Sequence, residues 1–83
     1  MYVVYILECN DKTLYTGITT DLKRRLEQHR QGEGARYTRA RGVKRVLYTE
    51  KCKNQSEALS REYAIKQLTR LEKLALIKKH RKI

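Results

Sequence analysis

Five side chains in this sequence have the types and spacing to act together on a substrate: Tyr5, Tyr15, Arg25, His29 and Glu62. A phenol can donate or accept a hydrogen bond and, with its pKa lowered, can take a proton. Tyr5 and Tyr15 are placed to face each other across a hairpin if adjoining strands carry them. The bland alternative is that each ring packs beside a neighbour and satisfies its hydroxyl locally. Arg25 and His29 are four residues apart, so on a helix they share a face. There the guanidinium could clamp a phosphate and the imidazole could serve as acid, base or donor; a plain solvated helix is an equal reading of the same pair. Glu62 falls among Ala58, Leu59 and Ile65 at helical spacing, which puts a carboxylate on an apolar stripe. A buried carboxylate needs a partner. A structural ion pair with an arginine or with Lys66 is the simpler one, and a divalent metal is the other. A Mg²⁺ ion is ordinarily content with one carboxylate, waters and substrate phosphate.

The elements that must position these groups follow from local patterns. Residues 2–9 are rich in β-branched and aromatic side chains and predict a strand. Asn10-Asp11-Lys12 is turn chemistry, and residues 13–18 predict its hairpin partner. Thr19, Thr20 and Asp21 are N-cap candidates for a helix over 22–31 that Gly32 stops. Leu22 and Leu26 give that helix one apolar edge. Residues 32–42 then read as a glycine-punctuated basic loop, and 43–50 as a third strand. Asn54 with Glu57, and Thr69 with Glu72, have capping-box spacing and predict helices over about 55–68 and 70–80. The result is an α+β fold of order β-β-α-β-α-α. Its three-stranded antiparallel sheet has order 2-1-3 and is flanked by three helices.

Composition bounds the partners. The 83 residues make one domain, 1–83, since a chain this short buries only roughly 60% of its unfolded surface. Lys and Arg number 20 against 9 Asp and Glu, a net charge of +11. Such a field favours polyanions over ordinary protein partners. Nine of the cations fall between Lys23 and Arg45, and the candidates for phosphate contact are Lys23, Arg24, Arg36, Arg39, Arg41 and Lys44. A second cluster, Lys78, Lys79, Arg81 and Lys82, follows near the C-terminus. No window carries the ~18 apolar residues that a membrane span needs. Nor is a basic amphipathic helix with large exposed apolar residues evident, so a membrane partner is not expected. The first residues read as a strand, not a signal peptide. Cys9 and Cys52 lack metal-site spacing, and together with the missing leader they point to a reducing, cytoplasmic setting.

Taken in order, these residues resemble the GIY-YIG nuclease superfamily. Val3-Val4-Tyr5 and Tyr15-Thr16-Gly17 are similar to its two half-motifs, Arg25 follows Gly17 by eight residues where the superfamily carries a helix arginine, and Glu62 resembles its metal-binding glutamate. The Tyr-Thr-Gly-Ile-Thr stretch (15–19) and the Gly-Ala-Arg-Tyr-Thr stretch (34–38) are most similar to its small stand-alone bacterial branch. The likeness departs from the pattern at Val3, where the motif has glycine, and at Thr16. His29 stands where some relatives carry a helix tyrosine, and Leu74 lies near the place of a downstream asparagine. What the resemblance implies is hydrolysis of a DNA phosphodiester bond, one strand at a time, of the structure- or damage-directed repair type. It implies one divalent ion, Mg²⁺ or Mn²⁺, on Glu62, Tyr5 as base or water-orienting group, Tyr15 hydrogen-bonded within the site, and Arg25 steadying the phosphate. A free tyrosine is protonated at neutral pH, so Tyr5 as base would need its pKa lowered by the metal or by nearby cations, a bias that Arg25 and the positive field supply.

The competing function is a non-catalytic DNA- or RNA-binding module using the same groove. DNA stands ahead of RNA as partner in either case, and the chain is expected to act as a monomer. Both readings require a sequence-indifferent, salt-sensitive hold on the phosphate backbone. If about five phosphates are contacted, log K for duplex DNA against log[salt] should slope near −4 to −5. A slope near zero in a salt titration would remove nucleic acid as the partner.

Overall fold

A computed structural model of the protein describes residues 1–80. Arg81 and Lys82 of the second basic cluster lie outside the described residues. The chain forms β1 (Tyr2–Cys9), β2 (Leu14–Thr19), α1 (Leu22–Arg30), α2 (Arg36–Arg41), β3 (Val43–Cys52), α3 (Gln55–Lys66) and α4 (Arg70–His80). The sheet has the expected order β2-β1-β3, and both outer strands run antiparallel to β1.

The central strand is buried on both faces. Val4, Ile6, Tyr48, Cys52, Ala58, Ile65 and Ile77 form one core cluster, with α3 and α4 laid over the sheet. Because side chains alternate along a strand, Tyr5, Leu7 and Cys9 point to the other face, and they too are buried. Burying one Ile such as Ile65 removes enough apolar surface to stabilise the fold by about 1.5–3 kcal/mol. At the far end of the sheet the Tyr48 hydroxyl donates to Glu50, Arg61 pairs with the same carboxylate at 2.9 Å, and the His80 ring packs edge-on to Tyr48. Burial pushes the Glu50 carboxyl up, but the bonds from Tyr48 and Arg61 outweigh it and hold it below its ordinary value. This network ties α3 and α4 to β3. Cys9 and Cys52 are buried free thiols.

The helix starts lie where the capping residues put them. Asp21 accepts from the Arg24 amide at 3.1 Å, Asn54 from that of Glu57 at 2.8 Å, and Thr69 from that of Glu72 at 3.2 Å, while Glu72 returns a bond to the Thr69 amide. The stop after α1 has a definite form. The Glu33 amide donates to the Gln28 carbonyl at 2.8 Å and the Gly32 amide to that of His29 at 3.2 Å, with Gly32 at φ 77°. This paired closure needs a left-handed residue, which glycine accepts without a Cβ clash.

Five expectations are corrected. Residues 32–42 are not all loop, because residues 36–41 form α2. Six residues cannot hold a helix alone. Contacts stabilise it instead: Thr38 is buried beneath it, Arg41 pairs with Asp11 at 2.9 Å, and the Arg41 guanidinium lies 4.0 Å over the Tyr37 ring. The third strand runs two residues past 50, following its pairing with β1 to Tyr2↔Cys52. The second long helix ends at Lys66 and not 68, and Leu59 on it is exposed, not part of the buried stripe. Finally, Tyr63 on α3 and Leu71 and Leu74 on α4 are also exposed, so the helices do show apolar surface that the charge pattern hid.

One buried polar atom, the Thr16 hydroxyl, has no hydrogen-bond partner among the described residues. An unsatisfied buried hydroxyl costs about 1–3 kcal/mol, so the isosteric Thr16→Val should stabilise the fold by about 1 kcal/mol. Urea unfolding at constant m-value would show it. A clear loss of stability would mean that this hydroxyl is held by a partner.

Candidate active site

The site lies on the second face of the sheet, where β1, β2, α1 and α2 meet. Tyr5 is 1% exposed and His29 also 1%. The Tyr5 hydroxyl and His29 Nε2 share a hydrogen bond of 3.0 Å, and on the other side of the ring His29 Nδ1 lies 2.7 Å from the Thr38 hydroxyl. The Tyr5 and His29 rings meet edge-on at 5.9 Å. Helix spacing therefore did place His29 toward the sheet, but the side chain is fully buried, deeper than the edge position that its neighbours Leu22 and Leu26 indicated.

Tyr15 does not stand directly across from Tyr5. The pairing register is Tyr5↔Gly17 and Leu7↔Tyr15, so the tyrosines are diagonal neighbours with ring centroids 6.4 Å apart. Tyr15 also packs on His29 at 5.5 Å and on Tyr37 at 5.9 Å. Ring packing, and not the expected hydrogen bond, holds Tyr15 among the described residues. The residue truly opposite Tyr5 is Gly17, and the reason is space. A Cβ added there would sit 2.5 Å from the Tyr5 oxygen and 2.7 Å from its Cζ.

Arg25 reaches the same place from α1. It is part-buried, donates to Gln28 Oε1 at 3.1 Å, and acts on Tyr5. Arg25 acts on the Tyr5 pKa in the expected direction but does not prevail. Burial pushes the phenol up, the Arg25 guanidinium beside it pulls it back, the charges of Tyr15 and Glu62 push it further up, and the net direction is up. His29 is held below its ordinary pKa, first by burial and then by the positive charge of Arg25. At neutral pH both partners of the buried bond are therefore uncharged.

Glu62 sits on α3 with its side chain 19% exposed, paired to Lys66 at 3.2 Å. The simpler of the two partners foreseen for it is thus present. Its neighbours Ala58 and Ile65 are buried as the stripe required. No group of three or more His, Cys, Asp or Glu that could hold a metal ion occurs among the described residues. Glu62 on its own suits an ion that keeps most of its waters and borrows oxygens from a phosphate.

The basic candidates divide. Lys23 and Arg24 on α1, Arg36 and Arg39 on α2, and Lys44 on β3 are exposed. Arg41 is exposed as well but already engaged by Asp11 and Tyr37. Lys23 and Arg24 lie on α1 and Arg36 and Arg39 on α2, two helices that pack together. A shallow cleft at the start of α1, lined by Thr19, Asp21, Arg24, Arg25 and Gln28, opens beside them. Three contributors were missed in the sequence: Thr38, Tyr37 and Gly34. The signal was the 34–38 stretch itself, whose small residues and hydroxyl have no use in a solvated loop.

The chain is similar to known proteins along most of its length. Residues 1–75 match the family model described as the GIY-YIG catalytic domain. The chain is 57% identical over 76 residues to a UPF0213 protein of Oceanobacillus iheyensis, covering 92% of this chain and 88% of that one. It is similar to the solution NMR structure of a UPF0213 protein from Bacillus halodurans, with TM-score 0.60 and 46% identity over 94% of this chain and 84% of that one. A second NMR structure, of a protein from E. faecalis, matches with TM-score 0.62 and 40% identity over 95% and 85% of the two chains.

The Gly17 contact generates a prediction. Gly17→Ala must displace the Tyr5 ring or part β1 from β2, since the ring is enclosed. A displacement of about 1 Å at a reacting group can cost ~10²-fold in rate. Plasmid nicking by Gly17→Ala should fall by about that factor, and circular dichroism should show the sheet retained. Unchanged nicking would separate Tyr5 from the chemistry.

Proposed function

The chain belongs to the GIY-YIG catalytic domain family, and from that premise we propose that it is a metal-dependent endonuclease that hydrolyses a DNA phosphodiester bond, acting on structured or damaged DNA. The observation that supports this most is the buried Tyr5–His29 bond beside Arg25. A core that needed only packing would put two apolar side chains there. Instead a phenol, an imidazole and a guanidinium converge below an exposed basic surface.

A neutral phenol cannot take a proton from water until it has lost its own, and His29 Nε2 lies 3.0 Å away to receive it. Proton transfer from Tyr5 to His29 leaves a phenolate, which takes a proton from the attacking water as the water oxygen bonds to phosphorus. The bond from phosphorus to the leaving oxygen breaks, and that oxygen is protonated from solvent. Arg25 meets the charge that builds on the phosphoryl oxygens, where a prepositioned donor is worth most. Glu62 would hold the divalent ion, Mg²⁺ or Mn²⁺, once Lys66 yields its place. When bound, that ion supplies charge neutralisation at the phosphate and at the leaving oxygen. Tyr15 walls the site by packing on both reacting side chains. Lys23, Arg24, Arg36, Arg39 and Lys44 hold the flanking backbone without reading sequence. Arg41 is the weakest of the six for this task, since Asp11 offsets its charge.

The Glu62–Lys66 pair makes a clean test of the metal role. A part-exposed ion pair of this kind contributes only about 0.2–1 kcal/mol, so Glu62→Gln should unfold at nearly the wild-type temperature. If Glu62 holds the ion, the variant binds DNA as well as wild type or better and nicks none of plasmid, branched or single-stranded DNA with Mg²⁺ or Mn²⁺. A folded variant that still nicks in a metal-dependent way would refute the ligand role. Absence of nicking by wild type on every DNA and RNA substrate with every divalent ion would instead leave the binding module as the function.

A further inference from the structure

The histidine of the site is enclosed by the segment that follows its own helix. Gly32 stops α1 three residues past His29 and turns the chain back over it. Gly34 then passes against the imidazole so closely that a Cβ there would overlap the ring atoms Nδ1, Cε1 and Cγ. Thr38, on the first turn of α2, is fully buried and brings its hydroxyl to 2.7 Å from His29 Nδ1. The same hydroxyl lies 3.0 Å from the Ala35 carbonyl oxygen. Residues 34–38 thus form a cradle around one imidazole.

A proton count through this cradle assigns the direction of every bond. The Thr38 hydroxyl carries one proton. A carbonyl oxygen can only accept, so the 3.0 Å contact with Ala35 is a hydrogen bond only if that proton lies on it. The Ala35 oxygen also accepts from the Arg39 amide at 2.9 Å, so turning the hydroxyl toward His29 would not orphan that carbonyl, but it would set two oxygen lone pairs against each other at 3.0 Å in a buried place. With the proton on Ala35, Thr38 can only accept from His29, so Nδ1 carries the hydrogen. The ring is enclosed, next to the Arg25 cation, and neutral. A neutral imidazole with its hydrogen on Nδ1 has a bare lone pair on Nε2. The Tyr5 hydroxyl must then be the donor at Nε2.

Building on the nuclease reading, we propose that Thr38 is a positioning residue that holds His29 in its Nδ1–H form, so that Nε2 stands ready to receive the proton of Tyr5. The opposite form would aim an N–H at the Tyr5 oxygen, which could then neither give its proton to His29 nor keep that lone pair for a water. Thr38 touches neither water nor phosphate, and its whole effect passes through the ring. The role also explains why the 34–38 stretch combines a glycine, a small residue and a hydroxyl in that order: clearance for the ring, the carbonyl that takes the hydroxyl proton, and the acceptor for Nδ1.

The form of the imidazole is directly visible by two-bond ¹H–¹⁵N NMR of the free protein, because the bare nitrogen resonates far from the protonated one. Wild type should show His29 with Nδ1 protonated and Nε2 bare. Thr38→Val keeps the shape and removes the acceptor, so the population should move to the Nε2–H form, while Thr38→Ser should retain the wild-type pattern. On supercoiled plasmid with Mg²⁺, Thr38→Val should lose at least about tenfold in kcat with KM unchanged, within the ~10⁴-fold that a wrong imidazole form can cost, and Thr38→Ser should recover most of it. A wild-type spectrum with Nε2 protonated overturns the proposal whether or not any variant folds. So does a Thr38→Val protein that keeps the Nδ1–H form. Should wild type prove inactive on DNA, the spectra still decide how Thr38 sets His29, and only the nuclease reading fails.

Discussion

From Val4 to Leu7 the central strand is buried on both faces, and a polar group placed there needs a partner at rest that the protein itself supplies. Tyr5 is such a group, and its hydroxyl must find a partner inside the protein or cost the fold the full desolvation of a phenol. His29 is that partner, and much of the architecture on this side of the sheet follows from supplying it. Helix α1 begins at a capped Asp21 and ends just beyond His29, so the imidazole meets the strand near the helix end. Gly17 clears the space above the Tyr5 ring. The paired closure at Gly32 folds the chain back so that Thr38 can satisfy the far nitrogen. Each is a local requirement, and together they leave a proton donor and a proton acceptor in contact, with neither charged at rest.

The two faces of the sheet divide the work. One holds an apolar cluster under α3 and α4, tied down by Tyr48, Glu50 and Arg61. The other holds the polar site under α1 and α2. The apolar cluster thus carries most of the packing, and the polar face can keep a phenol, an imidazole and a guanidinium close together. The +11 charge fits the same division. It cannot assist folding, because like charges repel in the compact state, but it raises the local concentration of a polyanion at the exposed cations of α1 and α2. Glu62 stands apart from that surplus as a part-exposed carboxylate whose charge still reaches Tyr5. Its pairing with Lys66 is weak enough to exchange for a stronger cation.

Much of this was legible in the residues. Richness in β-branched and aromatic residues marked β1, turn residues marked the hairpin, and capping spacing marked the starts of α1, α3 and α4 closely, because these signals act within four or five residues of chain. The sheet order followed from the short hairpin and the longer connection from β2 to β3. Tyr5, Tyr15, Arg25, His29 and Glu62 were picked out by type and spacing, and the resemblance to the GIY-YIG superfamily put them in order. Less legible was α2. Six residues rich in arginine have no intrinsic claim to a helix, and theirs is stabilised by Asp11, Tyr15 and His29, which are distant in sequence.

What the sequence determined by itself was the set of local elements, the basic field and the choice of candidate side chains, since each depends on neighbours along the chain. The tertiary structure alone decided how those side chains meet. It set the register that opposes Tyr5 to Gly17 and moves Tyr15 to the diagonal, buried His29 completely, chose Lys66 as the partner of Glu62, and brought Thr38 to the second nitrogen of the ring. It also set burial above the pull of Arg25, so that the Tyr5 pKa lies above its ordinary value. The number of nearby cations can be counted in a sequence, but desolvation depends on which atoms exclude water from the phenol, and those atoms come together only when the chain has folded.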